Sequence, residues 1–147
     1  MTYEEMFKLA KEKINPVKLN KHCKISDTFC VLETVNGNQY TGVSLVATCG
    51  LGHCSEQAAI TQMLNHDETE IRQILTLDKF GNLLPPCGRC LELITQINPK
   101  NVSAAVFVAE NRAMTIKELY PLDWKKVKED GLRKLGIKND ESEKKLA

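Results

Sequence analysis

The residues of this sequence best suited to chemistry are three cysteines and one glutamate, which lie in two short stretches. Glu56 follows Cys54 by two positions, and Cys87 and Cys90 form a Cys-x-x-Cys pair directly after two prolines. Thiolates are preferred zinc ligands; structural zinc sites use four protein ligands, whereas catalytic sites use three and a water molecule. Neither stretch contains an obvious fourth ligand, so the three thiols favour a catalytic zinc ion with one open position.

Both stretches also have the features of helix starts. Pro86 suits a first helical turn, and the unpaired N–H groups and positive dipole end favour thiolates at Cys54 and Cys87. Glu56, two residues past Cys54, can lie beside the metal and pass protons between water and a substrate nitrogen. Acidic residues in a first turn are also common for electrostatic reasons alone, so a structural interpretation of Glu56 stays open.

Together the two stretches resemble the zinc-dependent cytidine deaminase superfamily. Its signature is a His or Cys ligand, a non-ligand Glu two residues later, and then Pro-Cys-x-x-Cys. The run CSEQAAI, residues 54–60, resembles the cytidine deaminase block, and PCGRC, residues 86–90, resembles that of blasticidin S deaminase. A Cys as the first ligand is typical of these two free-nucleoside branches. The resemblance extends over roughly residues 29–121 and is specific only at the two motifs.

The resemblance implies an α/β fold of three α/β/α layers, with a mixed five-stranded sheet and both ligand helices on one face. It implies one zinc ion per subunit on Cys54, Cys87 and Cys90, with Glu56 as the catalytic residue. The implied reaction is hydrolytic deamination of cytidine or deoxycytidine to the uridine product and ammonia. A homotetramer with sites near subunit boundaries is implied as well.

Two residues of the predicted strands are candidate substrate contacts. Phe29 matches a family phenylalanine that packs against the bound nucleoside, although a plain core aromatic is the simpler interpretation. Ser44 and Val46 align with the family's Asn and Glu, which bind the sugar hydroxyls, and valine cannot accept a hydrogen bond. This departure makes blasticidin S or a related cytosine-like compound the alternative substrate. The loop at residues 47–53 differs in length from the family, so another residue could bind the sugar.

The charge balance of the site predicts a role for Arg89. Zinc with three thiolates carries a net negative charge, which arginines offset in many cytidine deaminases. Gln57 and Leu91 occupy those arginine positions here, so we expect Arg89 to hydrogen-bond a ligand thiolate from outside the metal shell. Cys49 and His53 flank the site, and either could instead close the zinc shell and make it structural.

Hydrophobic periodicity predicts strands that alternate with helices, which is typical of an α/β fold. The predicted helices cover residues 2–14, 55–65, 87–97 and 123–135, and the predicted strands cover residues 28–35, 39–46, 70–78, 102–108 and 113–116. Asn36-Gly37 is a strong hairpin turn signal. Residues 17–27 are expected to be a polar connector.

Length and composition restrict the remaining possibilities. The 147 residues fit a single domain, with residues 138–147 expected to form a frayed tail. A formal net charge of +1 gives no basic excess for nucleic acid, and no apolar run is long enough for a membrane. No signal peptide is evident and the six cysteines are expected to be reduced, so we expect a cytoplasmic protein. The expected partner is a small nucleoside-like substrate.

Three further interpretations remain open. A non-catalytic zinc module would not need Glu56 or an open metal position. A thiol redox protein could use Cys87 and Cys90, but it would leave Cys54 and Glu56 unexplained. Family members also have C-terminal aromatic residues that reach a neighbouring subunit's site; Tyr120 and Trp124 are the candidates here, and packing within the subunit is the simpler interpretation.

Overall fold

One mixed sheet of six strands organises residues 1–136, the part of the chain that the structure, a computed structural model, describes. The tail expected at residues 138–147 lies outside the described residues. The strands are β1 Val17–Asn20, β2 Cys23–Thr34, β3 Gln39–Ala47, β4 Ile71–Asp78, β5 Ala105–Ala109 and β6 Arg112–Thr115. The helices within this range are α1 Tyr3–Lys13, α2 Ser55–Asn65, α3 Gly88–Ile97, α4 Ile116–Leu119 and α5 Trp124–Lys134.

Strand β2 is the centre of this sheet. It pairs antiparallel with β3 along one side, while β1 and then β4 pair with it along the other. The parallel pair β4–β5 and the antiparallel pair β5–β6 complete the sheet. The mixed sheet is as predicted, with β1 as an additional strand. The expected polar connector at residues 17–27 therefore contributes β1 and the start of β2, because an exposed edge can pair through its backbone without an apolar face.

Helices cover both faces of the sheet, so the predicted three-layer α/β/α arrangement is confirmed. Side chains of β2 alternate between the faces: Cys30 and Leu32 pack towards α2 and α3, whereas Phe29 and Val31 pack towards α1. Burial of both faces explains the apolar character of β2. Within residues 1–136, no helix is long and apolar enough to cross a membrane.

The first helix begins as its sequence predicts. Thr2 and Glu5 form a capping box in which each side chain accepts the other residue's backbone N–H. The next two helices begin after cysteines: Cys54 is the N-cap of α2 and Cys87 is the N-cap of α3. Both chemically important stretches therefore enter helices at the predicted places.

Close approach between β3 and the first turns of α2 fixes where α2 lies on the sheet. A Cβ atom at Gly42 would lie 2.4 Å from the backbone nitrogen of Ala59 and 2.4 Å from the backbone oxygen of Ser55. Backbone atoms of a helix cannot move aside individually, so only glycine fits at this position of β3. The contact involves the first turns of α2, the helix that begins after Cys54 and includes Glu56.

We expect Gly42→Ala to lower the free energy of unfolding by about 1–3 kcal/mol or more, because the added methyl group pushes α2 away from the sheet. Urea denaturation followed by circular dichroism measures this loss. Gly131→Ala is the matched control, since a Cβ atom there meets nothing within 4 Å and alanine favours the helix. Equal stability of the Gly42→Ala variant and the unchanged protein would contradict the role of close packing.

Candidate metal and catalytic site

The two ligand-bearing helices bring the predicted thiols together. The sulfur atoms of Cys54, Cys87 and Cys90 all lie within 4.8 Å of one another, and those of Cys54 and Cys87 are 3.6 Å apart. Two of them sit at helix starts and the third lies in the first turn of α3. All six cysteines of the chain are free thiols, so no disulfide competes for these sulfurs.

The three thiols differ in how readily they ionise. Burial raises the pKa of the Cys54 and Cys90 thiols, and at Cys90 the nearby carboxylate of Glu56 raises the pKa further. At Cys87 burial also acts to raise the pKa, but hydrogen bonds from the backbone N–H groups of Cys90 and Arg89 and from the thiols of Cys54 and Cys90 outweigh it, so the pKa of this thiol is lowered. Cys87 is therefore the thiol that ionises first, and a bound cation would favour the thiolate at all three.

The donor set fits zinc. Three sulfur ligands in one small cluster are typical of zinc sites, where each ligand is a deprotonated thiolate. Within the described residues, no fourth ligand atom from His, Cys, Asp or Glu joins the cluster. Cys49 is exposed and lies outside it, as does His53, whose Nδ1 donates to the backbone oxygen of Cys54 at 3.1 Å.

Glu56 lies beside this cluster in a buried position, with 5% of its surface exposed. Its Oε2 is 4.0 Å from the sulfur of Cys90 and accepts a hydrogen bond from Ser55 Oγ at 3.3 Å. Its Oε1 accepts a hydrogen bond from Thr76 Oγ1 at 3.0 Å. Ser55 Oγ in turn accepts from Thr28 Oγ1 at 2.9 Å. Two hydroxyl groups from outside α2 thus help to hold the carboxylate in place.

The sequence analysis missed these hydroxyl-bearing residues. Thr76 is 1% exposed and lies between Leu75 and Leu77 in an apolar strand. A lone polar residue in such a strand is a signal, because a buried hydroxyl needs a partner. Ser55 and Thr28 carry no comparable signal in the sequence, since serine and threonine are common at helix starts and in strands.

A cleft of about 310 Å³ opens beside the thiols. Its walls include four residues that were singled out in the sequence, namely Cys54, Cys87, Glu56 and Ser44. They also include Val46, which aligns with the missing sugar-binding Glu, and His53, which was expected to flank the site. The remaining lining residues were not predicted as site residues: Asp27, Thr28, Thr76, Leu84 and Pro85.

The hydroxyl of Ser44 lines the cleft but is already used by the sheet. Ser44 Oγ accepts the backbone N–H of Thr28 at 3.0 Å and donates to the backbone oxygen of the same residue at 3.4 Å. Val46 is 47% exposed and adds an apolar wall. The end of β3 therefore offers a substrate little hydrogen-bonding capacity.

Two predicted site residues are not brought to the cleft. Phe29 is 6% exposed and packs in the cluster below α1 with Met6 and Leu77, on the opposite face from Cys30. Arg89 is exposed, and within residues 1–136 its guanidinium makes no hydrogen bond to a ligand sulfur. Arg89 instead favours the Cys87 thiolate through its backbone N–H.

Tyr120 and Trp124 both hydrogen-bond a side chain of the ligand helix α3, and Trp124 is also 53% exposed. Glu92 on α3 accepts hydrogen bonds from Tyr120 Oη at 2.8 Å, from Trp124 Nε1 at 2.9 Å and from Lys125 Nζ at 3.0 Å. Burial acts to raise the pKa of Glu92, but these donors and Gln96 outweigh it and lower the pKa to about 2. The ligand helix α3 is thereby tied to the segment that leads into α5.

Comparison with known proteins places this fold. No family model matches the sequence. A crystal structure of cytidine deaminase from Mycobacterium tuberculosis superimposes with a TM-score of 0.69 at 16% identity, over 84% of this chain and 98% of that chain. The cytidine deaminase from Mycobacterium leprae gives 0.66 at 19% identity, over 82% and 98%, and that from Bacillus anthracis gives 0.64 at 18% identity, over 90% and 93%. The chain therefore has the cytidine deaminase fold that the two stretches predicted.

We expect Cys54→Ser and Cys87→Ser each to lower bound zinc well below one equivalent, because a serine hydroxyl does not replace a thiolate ligand. Atomic emission after equilibration with a weak chelator measures the metal content. Cys49→Ser is the matched control, since Cys49 is exposed and outside the cluster. Full zinc content in both cluster variants would contradict the site.

Proposed function

We propose that this chain is a zinc-dependent hydrolase that deaminates a cytosine-type nucleoside, converting cytidine or deoxycytidine to uridine or deoxyuridine with release of ammonia. One observation carries this proposal: the buried carboxylate of Glu56 lies 4.0 Å from a sulfur of a three-thiol cluster that faces a cleft. A purely structural zinc site needs neither this carboxylate nor the cleft. The cytidine deaminase fold supports the same conclusion.

In this proposal Cys54, Cys87 and Cys90 hold one zinc ion per subunit. When bound, zinc supplies a water molecule that is acidic enough to act as a nucleophile near neutral pH. Glu56 Oε2 faces the sulfurs, so it is the oxygen that takes one proton from water and delivers it to the ring nitrogen. The same oxygen then moves the second proton of that water, which remains on the new hydroxyl group, to the departing amino group, which leaves as ammonia. Thr76 holds Oε1 and keeps the carboxylate aimed during both transfers.

The size and lining of the cleft support a small substrate. About 310 Å³ is at the lower end of the volumes of ligand pockets and suits a single nucleoside rather than a folded polymer. Val46, Leu84 and Pro85 supply apolar surface against which a pyrimidine ring can lie. The cytoplasmic location and the homotetramer that the resemblance implies belong to the same proposal.

Deamination of blasticidin S or a related cytosine-like compound is the second candidate. It is favoured by one observation, namely that Val46 and the internally bonded Ser44 line the place where sugar-binding side chains were expected. The thiol redox alternative would leave the position of Cys54, 3.6 Å from Cys87, and the buried carboxylate of Glu56 without a role.

We expect Glu56→Gln to lower kcat by about 10²–10⁴-fold and to leave zinc content unchanged, because the amide keeps the shape of the side chain but cannot carry the proton. Ultraviolet absorbance follows turnover and atomic emission follows the metal. Glu12→Gln, at an exposed position of α1, serves as the control. Near-normal turnover by the Glu56→Gln variant would refute the catalytic role.

The substrate is tested by measuring turnover of cytidine, deoxycytidine, cytosine and blasticidin S by the zinc-loaded protein, with the Glu56→Gln variant as the blank. We expect the two nucleosides to be deaminated. Turnover of blasticidin S alone would replace the first candidate by the second. A zinc-loaded protein that is inactive on all four compounds would contradict cytosine-ring deamination.

A further inference from the structure

Most polar atoms that line the cleft are already bonded within the protein. The hydroxyl of Ser44 is used by the backbone of Thr28, and the hydroxyl of Thr28 donates to Ser55. The hydroxyl of Thr76 donates to Glu56, which the proposed reaction uses for proton transfer. These groups orient the catalytic carboxylate, so they leave the part of a substrate beyond its ring without a strong partner.

Asp27 is the other carboxylate in the lining of the cleft. It lies on β2 beside the end of β3, where Lys24 pairs with Val46 and Ile25 pairs with Leu45. Its carboxylate is therefore on the strand adjacent to the position at which Val46 offers no hydrogen-bonding group.

An irregularity in β2 places Asp27 there. The register between β2 and β3 shifts between Ile25 and Phe29, which marks a β-bulge. Ser26, inside the bulge, has a φ of 67°, an uncommon conformation for a residue other than glycine. Ser26 is 2% exposed and its Oγ accepts the backbone N–H of Asn15 at 3.0 Å, so the bulge is held firmly. Bulges of this kind re-aim a side chain out of the regular alternation of a strand.

The surroundings of Asp27 keep it charged. Lys24 Nζ is 2.7 Å from Asp27 Oδ2, and Lys79 Nζ is 3.6 Å from Oδ1. The hydrogen bond from Lys24 is the main cause that lowers the pKa of the Asp27 carboxyl. Both lysines are substantially exposed, at 45% and 38%, and exposed ion pairs contribute little to stability. Stability alone therefore does not explain a buried bulge of uncommon backbone conformation next to a charged residue that lines the cleft.

We propose that Asp27 determines specificity by accepting hydrogen bonds from donor groups on the substituent that the cytosine ring carries. The expected substrate class is thus a cytosine with a hydroxyl-bearing or cationic substituent, in preference to the bare ring. This inference rests on the proposed function, because it assigns the part of the same cleft that lies beyond the reacting ring. The Asp27 carboxylate on β2 would accept the hydrogen bonds of the substituent, which Val46 on β3 cannot accept.

The test compares Asp27→Asn with the unchanged protein on cytidine and on 1-methylcytosine, whose substituent has no donor. We expect kcat/KM for cytidine to fall about 10- to 100-fold, mainly through KM, because hydrogen bonds to a charged group are the stronger kind. The value for 1-methylcytosine should stay the same. If blasticidin S is the substrate, it replaces cytidine in this comparison. Its kcat/KM should then also fall in Asp27→Asn, because its cationic groups lose a charged partner.

Two control variants separate substrate recognition from structure. Lys24→Met removes the shorter ion pair but keeps the carboxylate, so the preference for cytidine over 1-methylcytosine should remain. Asp130→Asn removes another carboxylate that is paired with a basic side chain, Arg133, on exposed α5. A parallel loss on both substrates in Asp27→Asn, or an equal change of preference in Lys24→Met, would overturn the proposal.

Calorimetry gives a second measurement that does not depend on turnover. Binding of uridine should weaken in Asp27→Asn about as much as kcat/KM falls, whereas binding of 1-methyluracil should not change. Uridine binding that is unaffected by the substitution, in a protein that deaminates cytidine, would overturn the role of Asp27 and leave the proposed function standing. A protein that neither deaminates nor binds any of these pyrimidines would overturn the proposed function and this inference together.

Discussion

The structure depends on one electrostatic constraint, which is the convergence of three sulfur atoms to within 4.8 Å of one another. Thiolates at such distances repel one another, and burial further disfavours the charged form of Cys54 and Cys90. At Cys87 the start of α3 opposes this cost, because the backbone N–H groups of Cys90 and Arg89 favour its thiolate. A bound divalent cation would offset the negative charge of the thiolates. Metal binding at such a site would therefore be coupled to folding.

The sheet then determines where the carboxylate of Glu56 lies. Glu56 belongs to α2, but its two oxygens are held by Thr76 on β4 and by Ser55, which is itself bonded to Thr28 on β2. A buried carboxylate without such donors would be costly, so these hydroxyls stabilise the charge and also restrict the rotamer of Glu56. Gly42 allows α2 to approach closely enough for these bonds to form. Local geometry at the metal thus depends on contacts made by three strands.

The sequence predicts well what is determined locally. The bounds of α2 follow from Cys54 and the small residues after it, and α3 follows from Pro86 and the Cys-x-x-Cys spacing. Features that depend on tertiary contacts were harder to predict. β1 has four exposed residues and no apolar alternation. Which face Phe29 occupies depends on how β2 lies between α1 and α2. The guanidinium of Arg89 was expected beside a thiolate because a positive side chain would balance the negative charge of the site. In the structure, backbone N–H groups of α3 act on the Cys87 sulfur instead.

The bulge in β2 lies at the part of the cleft to which we assign substrate selectivity. The candidate metal ligands and Glu56 come from the starts of α2 and α3. One wall of the cleft comes from β2 and β3, where the uncommon conformation of Ser26 interrupts the regular alternation beside Asp27. The specificity proposed for Asp27 therefore depends on the backbone conformation of residues 25–29.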